Sequence, residues 1–233
     1  MRDRRYGGHM STEITVRGAF TAFRPAERGT VHTTVAYEGP EMAPVYDRVA
    51  TDLVVLKSSI VVLEKQGAVT WWSADQLRTW SNRPFNDKGK QLPLVHHAAV
   101  GVEAKFRDFA ALSQWVGQHA AGMEGFEVSR VSWTLTAKQR DTLLADVRTG
   151  AVRDAVTRAQ QYADALDLGA IAPVAIADAG MLNTRPEGES HAAFLRAAAP
   201  GGGPVAELVP KHIEVSATVD ARFVAVPTAG DAA

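Results

Sequence analysis

Cysteine is missing altogether from the 233 residues. That excludes disulfides, thiolate zinc sites, iron–sulfur clusters and cysteine nucleophiles. An excess of either charge is missing too: 25 Lys and Arg stand against 26 Asp and Glu, a net charge of −1. Phosphate binding needs a concentrated basic face, so nucleic acid is not expected as a partner. Long apolar runs are absent. Clear ones such as Ile60-Val61-Val62-Leu63 fall far short of the ~20 residues that span a bilayer. The opening MRDRRYGGHM is basic, but STEITVRGAF follows it, not the apolar stretch of ~7–15 residues that a secretory signal carries. The chain is therefore read as cytoplasmic, with Met10 an alternative start to Met1. GxGxxG after a strand, GxxxxGK(S/T), HExxH and GxSxG do not occur, so the usual phosphate cradles and hydrolase signatures are excluded. What is there is core-forming material: 46 % of residues are hydrophobic, and at this length roughly 70 % of the unfolded surface can be buried without a disulfide or metal.

Period-two alternation predicts strands with one buried face. It is clearest from Ile213 to Phe223, where Val215, Ala217, Val219 and Ala221 alternate with Glu214, Ser216, Thr218, Asp220 and Arg222. Glu13 to Arg17 alternates likewise and is expected to stop at Gly18. Further faces are Val31, Thr33, Val35, Tyr37; Ala98, Val100, Val102, Ala104, Phe106; and Val131, Trp133, Leu135. Val69 to Trp80 is β-like but irregular, which suggests a bulge.

Three helices interrupt the strands. Val45, Val49, Leu53, Leu56, Ile60 and Leu63 form one apolar stripe, with Pro44 suited to the first turn and Gly67 to the end. A short helix starts at Asp108, an N-cap type, and uses Phe109, Leu112 and Val116. A long helix opens on the capping box Thr136-x-x-Gln139. Its expected stripe is Leu144, Val147, Ala151, Ala155, Ala159, Tyr162 and Leu166, with Gly150 a place for a kink and Gly169 the C′ residue. Each long helix lies between strands, which suggests two diluted β-α-β passes. The expected class is α+β, antiparallel sheets backed by two long helices and one short one. One domain is expected over 12–226. Residues 1–11 and 227–233 are expected as disordered ends. Residues 179–208 form a long surface excursion with one helical candidate, His191 to Ala199.

Four stretches in this order resemble the SIMPL-domain family. They are Ile14-Thr15-Val16-Arg17-Gly18; Val131-Ser132-Trp133-Thr134-Leu135 running into AVRDAVTRAQQYADALDLG; Val174-Ala175-Ile176; and LVPKHIEVSATVDARF. The helix with Ala every three or four residues, ending Ala-Leu-x-x-Gly, is the most specific of them. The resemblance covers roughly residues 12 to 226. It implies an α+β fold of poorly defined function in a largely bacterial family. Its members include periplasmic immunogenic, ring-forming and oxidative-stress-linked proteins and an animal adaptor for a signalling kinase. It brings no catalytic residue set. Many relatives are exported, whereas this chain shows no export signal, and Trp133 stands where Phe is usual.

Candidate chemistry is sparse. His96 and His97 are adjacent, so on a strand they point to opposite faces and cannot chelate one metal without a third ligand such as His32 or His212. Of the tryptophans, Trp133 is read as core, while Trp71 and Trp72 must face opposite ways, leaving one exposed or at an interface. Trp80 and Phe85 lie among Arg78, Arg83, Lys88 and Lys90, a mixture suited to an anionic partner, although Asn82, Pro84, Asn86 and Gly89 also mark a plain hairpin connection.

No residue is assigned as catalytic, cofactor-binding or metal-ligating, and no cofactor is expected. Trp71, Trp72, Trp80 and Arg83 are the expected interface or ligand contacts. The preferred reading is a non-enzymatic protein that self-associates or binds another protein, with a stress-related role; a homo-oligomer or a protein partner follows from it. The alternatives are a small-ligand carrier, with a pocket between sheet and helices near Trp71 or Trp72, and a hydrolase or metal enzyme around His96 and His97.

Overall fold

The computed structural model describes residues 12–182 and 208–226. The expected disordered ends, most of the 179–208 excursion and the helical candidate from His191 to Ala199 lie outside the described residues. The described chain forms two compact units. A central unit takes residues 25–136 and 208–213; a terminal unit takes 12–24, 137–182 and 214–226. Strand β1 (Glu13–Pro25) begins the chain's path in the terminal unit.

The central unit runs β2 (Arg28–Gly39), α1 (Met42–Lys65), β3 (Val69–Ala74), β4 (Arg78–Asn82), β5 (Val95–Phe106), α2 (Phe109–Gly122) and β6 (Phe126–Thr134). The sheet order is β3-β5-β2-β6, with β4 also paired to β5, and every pairing is antiparallel. β2-α1-β3 and β5-α2-β6 each skip one strand, so two β-α-β passes interlock as a split, ferredoxin-like β-α-β-β-α-β arrangement. The β-like stretch from Val69 to Trp80 is two strands, β3 and β4, with a register shift between Val69 and Trp71.

Alternation along β5 explains the core. Ala98, Val100, Val102, Ala104 and Phe106 are buried with Val31 and Val35 of β2, Val45, Val49, Leu56 and Ile60 of α1, and Leu112, Trp115 and Val116 of α2. Both helices of this unit thus cover one face of the sheet. The other face carries His97, Gly101, Glu103 and Lys105. Asp108 caps α2, its carboxylate accepting from the Ala111 N–H at 3.0 Å. Gly67 ends α1 at φ 77°, with the Gly67 N–H on Glu64 O and the Ala68 N–H on Leu63 O, a Schellman closure.

In the terminal unit α3 (Ala137–Ala165) backs a three-stranded sheet of order β1-β8-β7, where β7 is Ala170–Asp178 and β8 is His212–Val226. α3 therefore joins β6 of one sheet to β7 of another. The pass expected around it is instead completed by the shorter α2, because 14 residues already suffice for a crossover. The α3 stripe also differs from expectation. Leu143, Val147, Ala151, Ala155, Ala159 and Ala163 are buried, whereas Tyr162 and Leu166 are more than half exposed. Small residues take the inner positions because β1 lies very close. A Cβ on Gly18 would fall 2.1 Å from the Ala151 carbonyl oxygen and 2.6 Å from Ala155 N. Gly18 thus marks a close approach and not a strand end, and β1 continues to Pro25. Gly150 answers the same need: the Phe20 ring lies where its Cβ would be, 2.4 Å from Cγ, and α3 runs through it unbroken. The helix closes on Asp167, at φ 53°, with the Leu168 N–H on Ala163 O and the Asp167 N–H on Asp164 O. Asp167, which tolerates the left-handed region, holds the C′ place expected of Gly169.

Candidate interaction surface

β4, paired with β5, and the turn after it build an exposed arm of the central sheet. All five residues of β4 are exposed. Beyond it, Phe85 bridges to Gln91 and the Leu92 N–H reaches Pro84 O at 2.8 Å. Asn86 shapes the tip: its side-chain oxygen accepts from the Lys88 and Lys90 N–H groups, with Gly89 at φ 72°. The sequence folds this way because Asn and Gly supply the turn chemistry between two β-forming runs.

The arm leaves large apolar groups in water. Trp80 is 48 % and Phe85 67 % exposed, joined by Leu92 and Leu94. Trp80 is nevertheless held in place. It pairs with His97 across β4 and β5, and the two rings stack at 5.1 Å and 5°. His97 is fixed in turn, with Nε2 2.8 Å from Asn82 Oδ1 and Nδ1 3.3 Å from Glu38 Oε2. Arg83, Lys88 and Lys90 are exposed on the same arm.

The four expected contact residues do not converge. Trp71 is exposed, on the helix-free face, with Lys105 Nζ 5.5 Å from its ring. Trp72 turns the other way, packs against the core and donates to Glu64 at 3.3 Å. Trp80 shares Trp71's face, but their partners on β5, His97 and Lys105, are separated by about 26 Å of strand. Only Trp80 and Arg83 belong to one surface. Phe85, Leu92 and Leu94 complete it; a hairpin signal that leaves large apolar residues unpaired was the available clue to the last two.

His96 and His97 do face opposite ways: His96 Nδ1 lies 2.8 Å from Ser81 Oγ, while His97 stacks on Trp80. Among the described residues no group of three His, Cys, Asp or Glu is placed to hold a metal ion. Nor is any described helix long and apolar enough to cross a membrane.

Two buried polar clusters have structural work. His119 of α2 lies in the core with Nε2 3.0 Å from Ser59 Oγ, and Trp115 Nε1 donates to the same hydroxyl at 2.9 Å. Burial pushes the His119 pKa below the ordinary imidazole value. In the terminal unit Asp220 accepts from Arg17 at 2.7 Å and from the Gly180 N–H at 2.7 Å. The Arg17 hydrogen bond holds its carboxyl below the usual range, against the opposing effect of burial.

A concavity lies wholly in the terminal unit. It is an apolar groove of about 390 Å³ between α3 and the β7–β8 pair, lined by residues including Val152, Val156, Ile171, Val174, Ile176 and Phe223.

Comparison with protein families decides the kinship. The profile of SIMPL, described as a protein of unknown function (DUF541), matches residues 14–223. The chain belongs to the SIMPL family. No curated protein gives a match. The matched span begins in β1 and ends in β8, so this SIMPL chain carries the family pattern through both units.

Proposed function

We propose that this SIMPL protein works by binding protein, its own copies or another chain, through the β4 arm, without catalysing a reaction. The observation that carries the reading is the exposure of Trp80, Phe85, Leu92 and Leu94 on one arm, with Trp80 locked by His97. A fixed, exposed aromatic loses little freedom on docking, and aromatics are enriched at interface cores. A stress-related role rests on the family resemblance alone. The test is affinity capture from the source cells with the intact chain and with a Trp80→Ala, Phe85→Ala double variant, followed by mass spectrometry and light scattering. Partners or extra copies held by the first and lost from the second, at unchanged circular dichroism, are expected. Identical recoveries would sink the reading.

The groove favours a second reading, a carrier of a small apolar ligand. Its lining belongs to the terminal unit and includes neither Trp71 nor Trp72. Binding of an environment-sensitive apolar dye that Val156→Glu abolishes would support it; dye binding indifferent to that change would remove it.

A further inference from the structure

We propose that the free edge of β4 accepts an extended, acidic segment of a different protein as an added strand. The inference rests on the arm being a protein-binding surface and names what the surface takes.

The topology supplies the template. β5 has β2 on one side and β3 and β4 on the other, and β4 pairs with no further strand among the described residues. An uncovered edge presents unpaired N–H and C=O groups, which is what strand addition uses. Charge then selects the occupant. From Arg78 to Leu94 there are four basic residues, Arg78, Arg83, Lys88 and Lys90, and one acidic residue, Asp87, in a chain whose net charge is −1. None of these four cations is in an ion pair among the described residues. Such a field draws an acidic segment and repels a basic one. It also disfavours two copies meeting edge to edge through β4. A symmetric contact sets each arm against itself, basic residues facing basic residues.

Side chains give the geometry of recognition. Arg78, Trp80 and Asn82 point to the helix-free face, Thr79 and Ser81 to the other. A strand laid beside β4 puts every second side chain on the face that carries Trp80, whose ring stacks on His97, itself held by Asn82 and Glu38. The charges that bar neutral strands from the edge are the same ones that admit an acidic strand.

The test uses the full chain labelled for amide NMR and three synthetic probes. These are an alternating Glu-Val decamer, an alternating Lys-Val decamer, and the Glu-Val decamer with alternate backbone nitrogens methylated. The Glu-Val decamer is expected to shift the amides of β4 and the 83–94 turn. It should bind at least about tenfold more tightly than either other probe and weaken as salt rises. Arg83→Glu, Lys88→Glu, Lys90→Glu together should reverse the preference to the Lys-Val decamer. Equal binding of the two charges, full binding of the methylated probe, shifts confined to other elements, or no binding would each overturn the proposal. If the decamers fail while the Trp80→Ala, Phe85→Ala variant still loses its captured partners, the strand proposal falls and the arm reading stands. If both fail, both fall.

Discussion

In the terminal unit Ala151, Ala155, Ala159 and Ala163 of α3 meet Ile14, Val16, Val219, Ala221 and Phe223. In the central unit the corresponding work falls to Phe106, Leu56, Ile60, Leu112 and Trp115 against a valine-rich sheet. The first core gains its contacts by bringing backbones together over Gly18 and small side chains. The second fills a wider gap with volume. The difference teaches that one fold can be fragile in two directions: the terminal core resists added atoms, and the central core resists removed ones.

The largest break in that contrast is Phe106→Ala, at a fully buried ring. Urea titration should show a loss of about 4 kcal/mol; under half of that would mean the central core collapses around the gap. The mirror experiment is Gly18→Ala. Its new Cβ meets Ala151 O and Ala155 N, backbone atoms that cannot rotate away, so one methyl group should cost about 3 kcal/mol. A neutral outcome would remove the close-approach account of β1.

Acid should separate the two regions next. The folded His119 resists protonation more than the unfolded residue, whose reference pKa is 6.5. Below pH 6.5 the unfolded state binds the extra proton, so stability falls as pH falls through that window. The central unit should lose protection there while the terminal unit, whose Asp220 titrates below the usual carboxylate range, keeps its own. His119→Gln should flatten the central slope; an unchanged slope would place the effect elsewhere. The smallest effect is Gly150→Ala. The atoms nearest its Cβ belong to the ring of Phe20, a side chain 45 % exposed and not backbone. A cost of about 1 kcal/mol is expected, vanishing in a Phe20→Ala background.

The contrast also explains what could be read from the residues. Strand faces and the α1 stripe follow from apolar period, so β2, β5, β8 and α1 were legible, and so was the α+β class. Three things were not. Gly18 reads as a break because a glycine's local weakness is visible in sequence while a helix lying against it is not. Helical spacing puts Tyr162 and Leu166 on the inner stripe, yet at an alanine-width separation Ala163 fits there and they do not. The interlocked passes depend on β5 inserting between β2 and β3, a long-range pairing that no local pattern records. The arm was half legible. Trp80, Phe85 and the basic residues stand together in sequence, but the His97 stack is a cross-strand fact.

One further consequence lies in the path of the chain. The central sheet is drawn from a single uninterrupted stretch of polypeptide, whereas β1 finds its hydrogen-bonding neighbour in β8, from nearly the opposite end of the sequence. During synthesis the central sheet can therefore close on the ribosome while β1 waits, unpaired, for β8 to emerge. Joining such distant segments is slow for entropic reasons. In pulse-labelled exchange, the amides of β1 and β8 should gain protection together, and after those of β2 and β5. The protein is thus timed by its own topology: β1, made before the central sheet, is finished after it.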